Sequence, residues 1–127
     1  MPPTMSRARE EEHRRPAAES RRYVERVLDL FRAVPDALRV RRSTDRRLAA
    51  SLFDRQVPLE TVQAAVLLAV ARRASRSTRR LAPIASLHYF APIVDELLAE
   101  PLDPDYLLFI RRKVARLAPA LLAVMER

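Results

Sequence analysis

The sequence of 127 residues contains no glycine, no cysteine and no tryptophan. Average usage would give about nine glycines in a chain of this length. The chain therefore lacks the residue that Gly-rich phosphate loops, the dinucleotide fingerprint, the G-x-S-x-G elbow and the EF-hand loop require. Without cysteine, disulfides and thiolate metal sites are excluded. Because only two histidines are present, we expect no catalytic residues, no metal and no cofactor.

Long apolar segments are also missing. The longest unbroken apolar run, residues 64–71, is far shorter than the ~18 residues that a membrane span needs. The first fifteen residues contain no apolar stretch of the kind that a signal peptide requires. We therefore expect a cytoplasmic protein without a membrane partner.

Basic residues are abundant, and nearly all are arginine. The chain has 24 basic residues, of which only Lys113 is a lysine, against 16 acidic residues. Three clusters hold 14 of the 24 and one acid, so they carry +13 while the remainder carries −5, for a net charge of +8. The first cluster is Arg39, Arg41, Arg42, Arg46 and Arg47, with Asp45 among them; the second is Arg72, Arg73, Arg76, Arg79 and Arg80; the third is Arg111, Arg112, Lys113 and Arg116.

The first two clusters lie at predicted helix junctions with almost no acid nearby, which predicts a polyanionic partner. The planar guanidinium fork suits phosphate, so nucleic acid is the leading candidate, with DNA favoured over RNA. An acidic protein surface, a solvated face without a partner, and the arginine bias of a GC-rich genome remain open alternatives. We interpret the third cluster as cations that suit a helix C-terminus.

Apolar residues recur at the spacing of one helix face, which predicts an all-α protein. We expect a flexible charged tail at residues 1–16 and a single compact bundle-like domain of five to six helices at residues 17–127. The predicted helices span about 17–34, 45–55, 58–74, 86–99, 104–118 and 120–127. Proline at positions 35, 58, 92, 104 and 119 marks their ends or breaks.

The most apolar helix, 58–74, is predicted to be central, with Val66 or Leu67 fully buried. The helix at 104–118 should bury a stripe of Leu107, Ile110, Val114 and Leu117. Ser43, Thr44 or Asp45 can cap the second helix, Ser86 the fourth, and Asp103 the fifth.

Two further motifs allow more than one interpretation. The helices flanking Gln56 and Val57 form either a helix-turn-helix or a core helical hairpin. The hairpin is favoured, because the outer face of the later helix is poor for reading base edges: Glu60, Gln63, Ala64 and Leu67. His88 and Tyr89 could belong to a strand-transfer site, but the accompanying catalytic residues are missing. We expect them to flank a packed helix start, and Tyr89 remains a candidate for stacking on a base.

Residues 57–99 combine an apolar helix, a polar loop and an aromatic phrase. The helix contains Val62-Gln63-Ala64-Ala65-Val66, the loop spans 74–80, and Ser86-Leu87-His88-Tyr89-Phe90 leads to Ile93. This third of the chain resembles the helical module of DnaD-like replication and primosomal proteins. It departs from that family at Pro92 and in lacking the usual tryptophan. A looser similarity links the chain to small proteins carried near replication or transposition genes on mobile elements.

Both resemblances imply a DNA-associated accessory role and transfer no catalytic residue. The leading hypothesis is therefore a non-enzymatic helical nucleic-acid-binding accessory protein, directed to phosphate by the first two clusters and acting in DNA replication or mobile-element maintenance. The alternative is an interaction adaptor or small subunit that docks an acidic partner. One continuous basic face would favour nucleic acid, whereas scattered patches around an apolar groove would favour the adaptor.

Overall fold

A computed structural model describes the backbone of residues 3–38, 43–76 and 81–127, with side chains from residue 15 onward in those ranges. This part of the chain holds six α-helices and one 3₁₀ turn, and it contains no strand. The helices pack on one another around a shared apolar core, which confirms the predicted all-α, bundle-like domain. The elements are α1 (Pro3–Arg32), α2 (Ser43–Asp54), α3 (Leu59–Ser75), the 3₁₀ turn (Leu87–Phe90), α4 (Ala91–Ala99), α5 (Pro104–Leu117) and α6 (Pro119–Met125).

Helix α3 lies at the centre of the bundle, as predicted. It packs against α1, α4, α5 and the 3₁₀ turn. Every residue from 65 to 71 is buried, including Val66 and Leu67 at 1% exposure each. A helix that is apolar on all sides is stable only when neighbours cover each side, and here three helices do so.

Several helix boundaries follow from capping residues, as predicted. Ser86 Oγ accepts a hydrogen bond from the backbone N–H of His88 at the start of the 3₁₀ turn. Asp103 accepts one from the N–H of Asp105 at the start of α5. Pro92 breaks the predicted helix at 86–99, because the 3₁₀ turn ends at Phe90 and α4 begins at Ala91.

Helix α1 begins well before the predicted start at Ala17. It runs from Pro3 through the predicted tail and contains Pro16 in its interior. The sequence has oppositely charged residues four apart at Glu10 and Arg14 and at Glu11 and Arg15, a spacing that supports a helix without burial. The division into a tail and a domain at residue 16 stays a prediction.

Helix α2 ends in a Schellman motif. The N–H of Val57 donates to the carbonyl of Leu52, and the N–H of Gln56 donates to the carbonyl of Phe53. Gln56 adopts φ = 60°, the left-handed conformation that usually falls to glycine at this position. The motif turns the chain so that α2 packs chiefly on α1 rather than on α3. The predicted hairpin of the two helices is therefore wrong, because α3 is covered by other elements.

The Schellman corner predicts a stabilising substitution. Replacing Gln56 by glycine is expected to raise the free energy of unfolding by about 0.5–1 kcal/mol, because the Cβ penalty of the left-handed conformation disappears. Urea denaturation of both proteins measures the change. As a control, Ala50→Gly within α2 should lower the free energy of unfolding by about 1 kcal/mol. A destabilised Gln56→Gly protein would mean that the corner carries no such penalty.

Tyr23 of α1 contacts the end of α2 and the segment that follows it. Its hydroxyl donates to the carbonyl of Val57 at 2.8 Å, and its ring lies 5.4 Å from the ring of Phe53. Burial, with Glu60 adding a smaller effect, raises the pKa of Tyr23 to about 12. The phenol therefore remains protonated and able to donate this bond at neutral pH.

A short parallel bridge joins two segments that the sequence pattern predicts as loops. The N–H of Ile84 donates to the carbonyl of Asp36, and the N–H of Leu38 donates to the carbonyl of Ile84, both at 2.9 Å. Asp36 adopts φ = 66° to make the corner. Ile84 itself is buried in the core, so the segment before the 3₁₀ turn is anchored at both backbone and side chain.

Among the described helices, none is both long enough and apolar enough to span a membrane.

Candidate nucleic-acid interface

The described members of the first two arginine clusters lie at helix ends. Arg46 and Arg47 are in the first two turns of α2, and Arg72, Arg73 and Arg76 are in the last turn and C-cap of α3. The other candidates, Arg39, Arg41, Arg42, Arg79 and Arg80, lie outside the described residues.

The 3₁₀ turn lies between these two helix ends. On one side, Asp45 at the start of α2 binds Ser86 and Leu87. On the other side, the guanidinium of Arg73 lies over the ring of Tyr89, 5.6 Å from its centroid. The start of α2 and the end of α3 are therefore neighbours across one turn, although about 26 residues separate Arg46 from Arg72 in sequence.

Asp45 is the buried anchor of this arrangement, at 2% exposure. Its Oδ1 accepts from Ser86 Oγ at 2.7 Å and from the N–H of Leu87 at 3.0 Å. A carboxylate at the N-terminal end of a turn satisfies donors that the turn itself leaves unpaired. Capping of α2 was one role predicted for Asp45, and this proved wrong, because its carboxylate binds the 3₁₀ turn. The carboxylate of Asp45 therefore accepts hydrogen bonds from the 3₁₀ turn and does not pair with the neighbouring Arg46 or Arg47.

Ser86, His88 and Asp45 are the residue types of a hydrolytic triad, but their contacts differ from one. Ser86 Oγ lies 3.0 Å from Nδ1 of His88 and donates directly to Asp45. The same Nδ1 is also the histidine atom 3.9 Å from the Asp45 carboxylate. A triad needs opposite ring nitrogens for serine and carboxylate, so this geometry is that of a capping network. It agrees with the prediction that His88 flanks a packed helix start rather than belonging to a catalytic site.

Arg73 is less available than the sequence pattern predicts. Its side chain is only 13% exposed, and one Nη donates to the carbonyl of Ala82 at 2.8 Å. A carboxylate oxygen of Asp36 lies 4.0 Å from the same nitrogen. Arg73 therefore holds the segment before the 3₁₀ turn in place, while its guanidinium plane covers Tyr89. Tyr89 keeps 40% of its surface exposed and packs edge-on against Phe90.

Arg72 has an acidic partner that comes from another helix. Its two terminal nitrogens bind the two oxygens of Glu96 on α4 at 2.6 and 3.1 Å. This paired hydrogen bonding raises the pKa of Arg72 and lowers the pKa of Glu96. Asp95 instead binds Arg55 at 3.1 Å, so the two adjacent carboxylates point in different directions, as neighbouring residues of a helix do.

Arg46 also forms a surface pair, with Glu25 of α1 at 2.7 Å. Arg47 and Arg76 are exposed and form no ion pair with any other described residue. The prediction of clusters with almost no compensating acid thus holds for Arg47 and Arg76. It is wrong for Arg46, which pairs with Glu25, and for Arg72, whose partner lies 24 residues further along the chain.

One member of the third cluster, Lys113, lies against the end of α3, and the sequence pattern does not predict this contact. Nζ of Lys113 donates to Ser75 Oγ at 2.9 Å, so α5 lies against the end of α3. Beside this contact, Tyr106 and Phe109 are exposed on α5 with their rings 6.2 Å apart and 24° from parallel. Leu117, predicted to be buried with Ile110 and Val114, is instead 51% exposed; it is the last residue of α5.

Neither Tyr106 nor Phe109 was a candidate in the sequence analysis. Their spacing of three residues, outside the buried stripe of α5, is the signal that could have identified them.

The described residues hold no group of three or more His, Asp or Glu side chains that could bind a metal ion. In comparisons with known proteins, no family model, no curated protein and no solved structure matches this chain.

Proposed function

We propose that this chain is a non-enzymatic, cytoplasmic nucleic-acid-binding accessory protein that contacts the phosphate backbone across the 3₁₀ turn. The observation that carries the proposal is the convergence of two arginine-bearing helix ends on that turn, through Asp45 on one side and Arg73 on the other. A turn bordered by cations on both sides matches the row of phosphates along a strand.

The position of Arg46 and Arg47 argues for an external anion. Both lie near the N-terminus of α2, where the helix dipole disfavours cations. The carboxylate of Asp45, in the same turn, is engaged with Ser86 and Leu87. Helix stability therefore does not explain Arg47, and Arg46 has only its exposed pair with Glu25, whereas a phosphate group would complement both arginines.

The two existing surface ion pairs do not prevent phosphate binding. The pairs Arg46–Glu25 and Arg72–Glu96 are solvent-exposed, and exposed pairs contribute little net free energy. A phosphate offers the same bidentate geometry as a carboxylate, so an arginine can exchange one for the other at low cost. Arg47 and Arg76 can bind phosphate without any exchange.

Binding of this kind contains little base readout. The buried run of α3 at 65–71 cannot enter a groove, and the contacts proposed beside the turn come from arginines. Phosphate contacts position a protein on nucleic acid without selecting its sequence. The resemblance of residues 57–99 to the DnaD-like module supports the same direction, towards an accessory role on DNA in replication or mobile-element maintenance.

The dependence of binding on salt tests the proposal. Replacing Arg47 and Arg76 by glutamine together should weaken duplex binding and flatten the slope of log affinity against log salt by about 1.8, because each phosphate contact contributes about 0.9. Fluorescence anisotropy with a labelled duplex, between about 50 and 200 mM salt, measures both quantities. The loss should be equal for unrelated duplex sequences.

A matched control removes the same charge elsewhere. The double variant Arg55→Gln and Arg127→Gln changes one arginine at the far end of α2 and one at the last position of the chain. It should keep a slope close to that of the unmodified protein. Equal slopes in all three proteins would remove Arg47 and Arg76 from the interface. Absence of nucleic-acid binding in the unmodified protein would favour the alternative, an acidic protein partner.

A further inference from the structure

A groove separates the C-terminal end of α3 from α5. Its volume is about 210 Å³, and its walls include Arg72, Ser75, Arg76, Tyr106, Phe109 and Lys113. The contact between Lys113 and Ser75 joins the two walls. The groove is therefore a defined recess rather than a gap between independent side chains.

The aromatic wall of the groove is unusual for a surface. Tyr106 is 46% and Phe109 61% exposed, although large aromatic rings normally bury most of their area. The two rings are stacked, 24° from parallel with centroids 6.2 Å apart, and their exposed surfaces form an aromatic platform. A platform of this kind stacks well with a third planar ring.

The opposite wall supplies positive charge. Arg72 and Arg76 are four residues apart at the end of α3, which places them on one side of that helix. Lys113 lies at the same end of the recess. Glu96 contacts this wall through Arg72 and neutralises part of the charge, while Arg76 and Lys113 form no ion pair with a described residue.

We propose that this groove binds one unpaired nucleotide, with its base stacked on Tyr106 and Phe109 and its phosphate held between Arg76 and Lys113. The inference rests on the proposed function and extends it from duplex backbone to single strands. Bases of a duplex are stacked on one another and cannot reach a side-chain platform, whereas unpaired bases can.

The chemistry of the groove favours a nucleotide over an acidic peptide. Carboxylates would complement Arg76 and Lys113 but would leave the aromatic platform uncovered. A nucleotide carries a planar ring and an anionic group in one unit, which complements an aromatic wall facing a cationic one. Arg72 and Arg76 belong to the second arginine cluster. The groove therefore lies beside the arginines that are proposed to contact the phosphate backbone.

The test compares single-stranded and duplex ligands. Tyr106→Ala and Phe109→Ala should each weaken binding to oligothymidylate by about five- to a hundredfold, because each ring contributes stacking energy. Binding to a duplex of the same length should change by less than about twofold, because duplex contacts go to phosphate. Oligouridylate in a parallel titration distinguishes RNA from DNA as the source of the unpaired nucleotide.

Two further variants separate stacking from general surface changes. Leu108→Ala removes an exposed apolar side chain from another side of α5 and should leave both affinities unchanged. Tyr106→Phe keeps the platform and should retain single-strand binding. The chain has no tryptophan, so quenching of tyrosine fluorescence by oligothymidylate reports directly on stacking, and Tyr106→Phe should reduce that quenching.

The possible outcomes distinguish this inference from the proposed function. If Tyr106→Ala and Phe109→Ala bind oligothymidylate as well as the unmodified protein does, the groove inference is overturned while phosphate binding stands. If neither ligand binds the unmodified protein, both proposals fail. If poly-glutamate binds and Phe109→Ala weakens that binding equally, the groove accepts acidic chains and the nucleotide inference is wrong.

Discussion

Replacing Val66 by aspartate is expected to leave the chain unfolded at room temperature. Val66 lies in the middle of α3 at 1% exposure, within a run of seven buried residues. A carboxylate there would have no cationic partner, and burying an unpaired charge costs more than the roughly 5–15 kcal/mol that stabilises a typical domain. Far-UV circular dichroism and the loss of a cooperative melting transition measure the effect.

The matched control introduces the same residue on the same helix. Gln63 is only partly buried, so Gln63→Asp should lose little more than the difference in helix propensity and keep a cooperative transition. A soluble Val66→Asp protein that melts cooperatively would show that α3 is not the centre of the core. In that case the arrangement of the helix ends around it would also be wrong.

Replacing Asp45 by alanine is expected to lower the free energy of unfolding by about 2–4 kcal/mol. The substitution leaves the Leu87 N–H and the Ser86 hydroxyl without their acceptor, and hydrogen bonds to a charged group contribute about 1.5–3 kcal/mol each before any relaxation. Urea denaturation measures the loss. Because the 3₁₀ turn loses its anchor, the same variant should bind duplex less tightly under conditions where it is still folded.

Two comparisons identify the origin of that loss. Asp45→Asn keeps an acceptor oxygen without the charge and should cost about half as much, since charge-assisted bonds are roughly twice as strong. Ser86→Ala removes only one donor and should cost about 1 kcal/mol. An Asp45→Ala protein as stable as the parent would show that solvent replaces the carboxylate at no cost.

The helices could be predicted from the sequence because their boundaries are local. Pro58, Ser86, Pro92 and Asp103 act within one turn of their own position, and apolar spacing identifies the buried face of α3 without knowledge of its neighbours. The start of α1 could not be predicted, since residues 3–16 have no apolar stripe and ion pairs four residues apart each stabilise a helix only weakly.

The candidate interface could be predicted only in part, because its geometry depends on contacts between distant residues. The pairing of Arg72 with Glu96, the burial of Arg73 and the binding of Asp45 to Leu87 each join segments that have no local relation. The proximity of Lys113 to Ser75 depends on how α5 packs, so Tyr106 and Phe109 could not be connected with the second cluster from spacing alone.

The bridge between Ala37 and Ile84 has a consequence for the order of folding. It joins backbones roughly 50 residues apart, so forming it closes a loop that contains α2 and α3, and the entropy of that closure must be overcome first. We therefore expect this bridge to form after the local contacts within α2 and α3. The turn between the arginine-bearing helix ends is therefore completed late in folding, and a strand bound across it would stabilise contacts that the chain forms last.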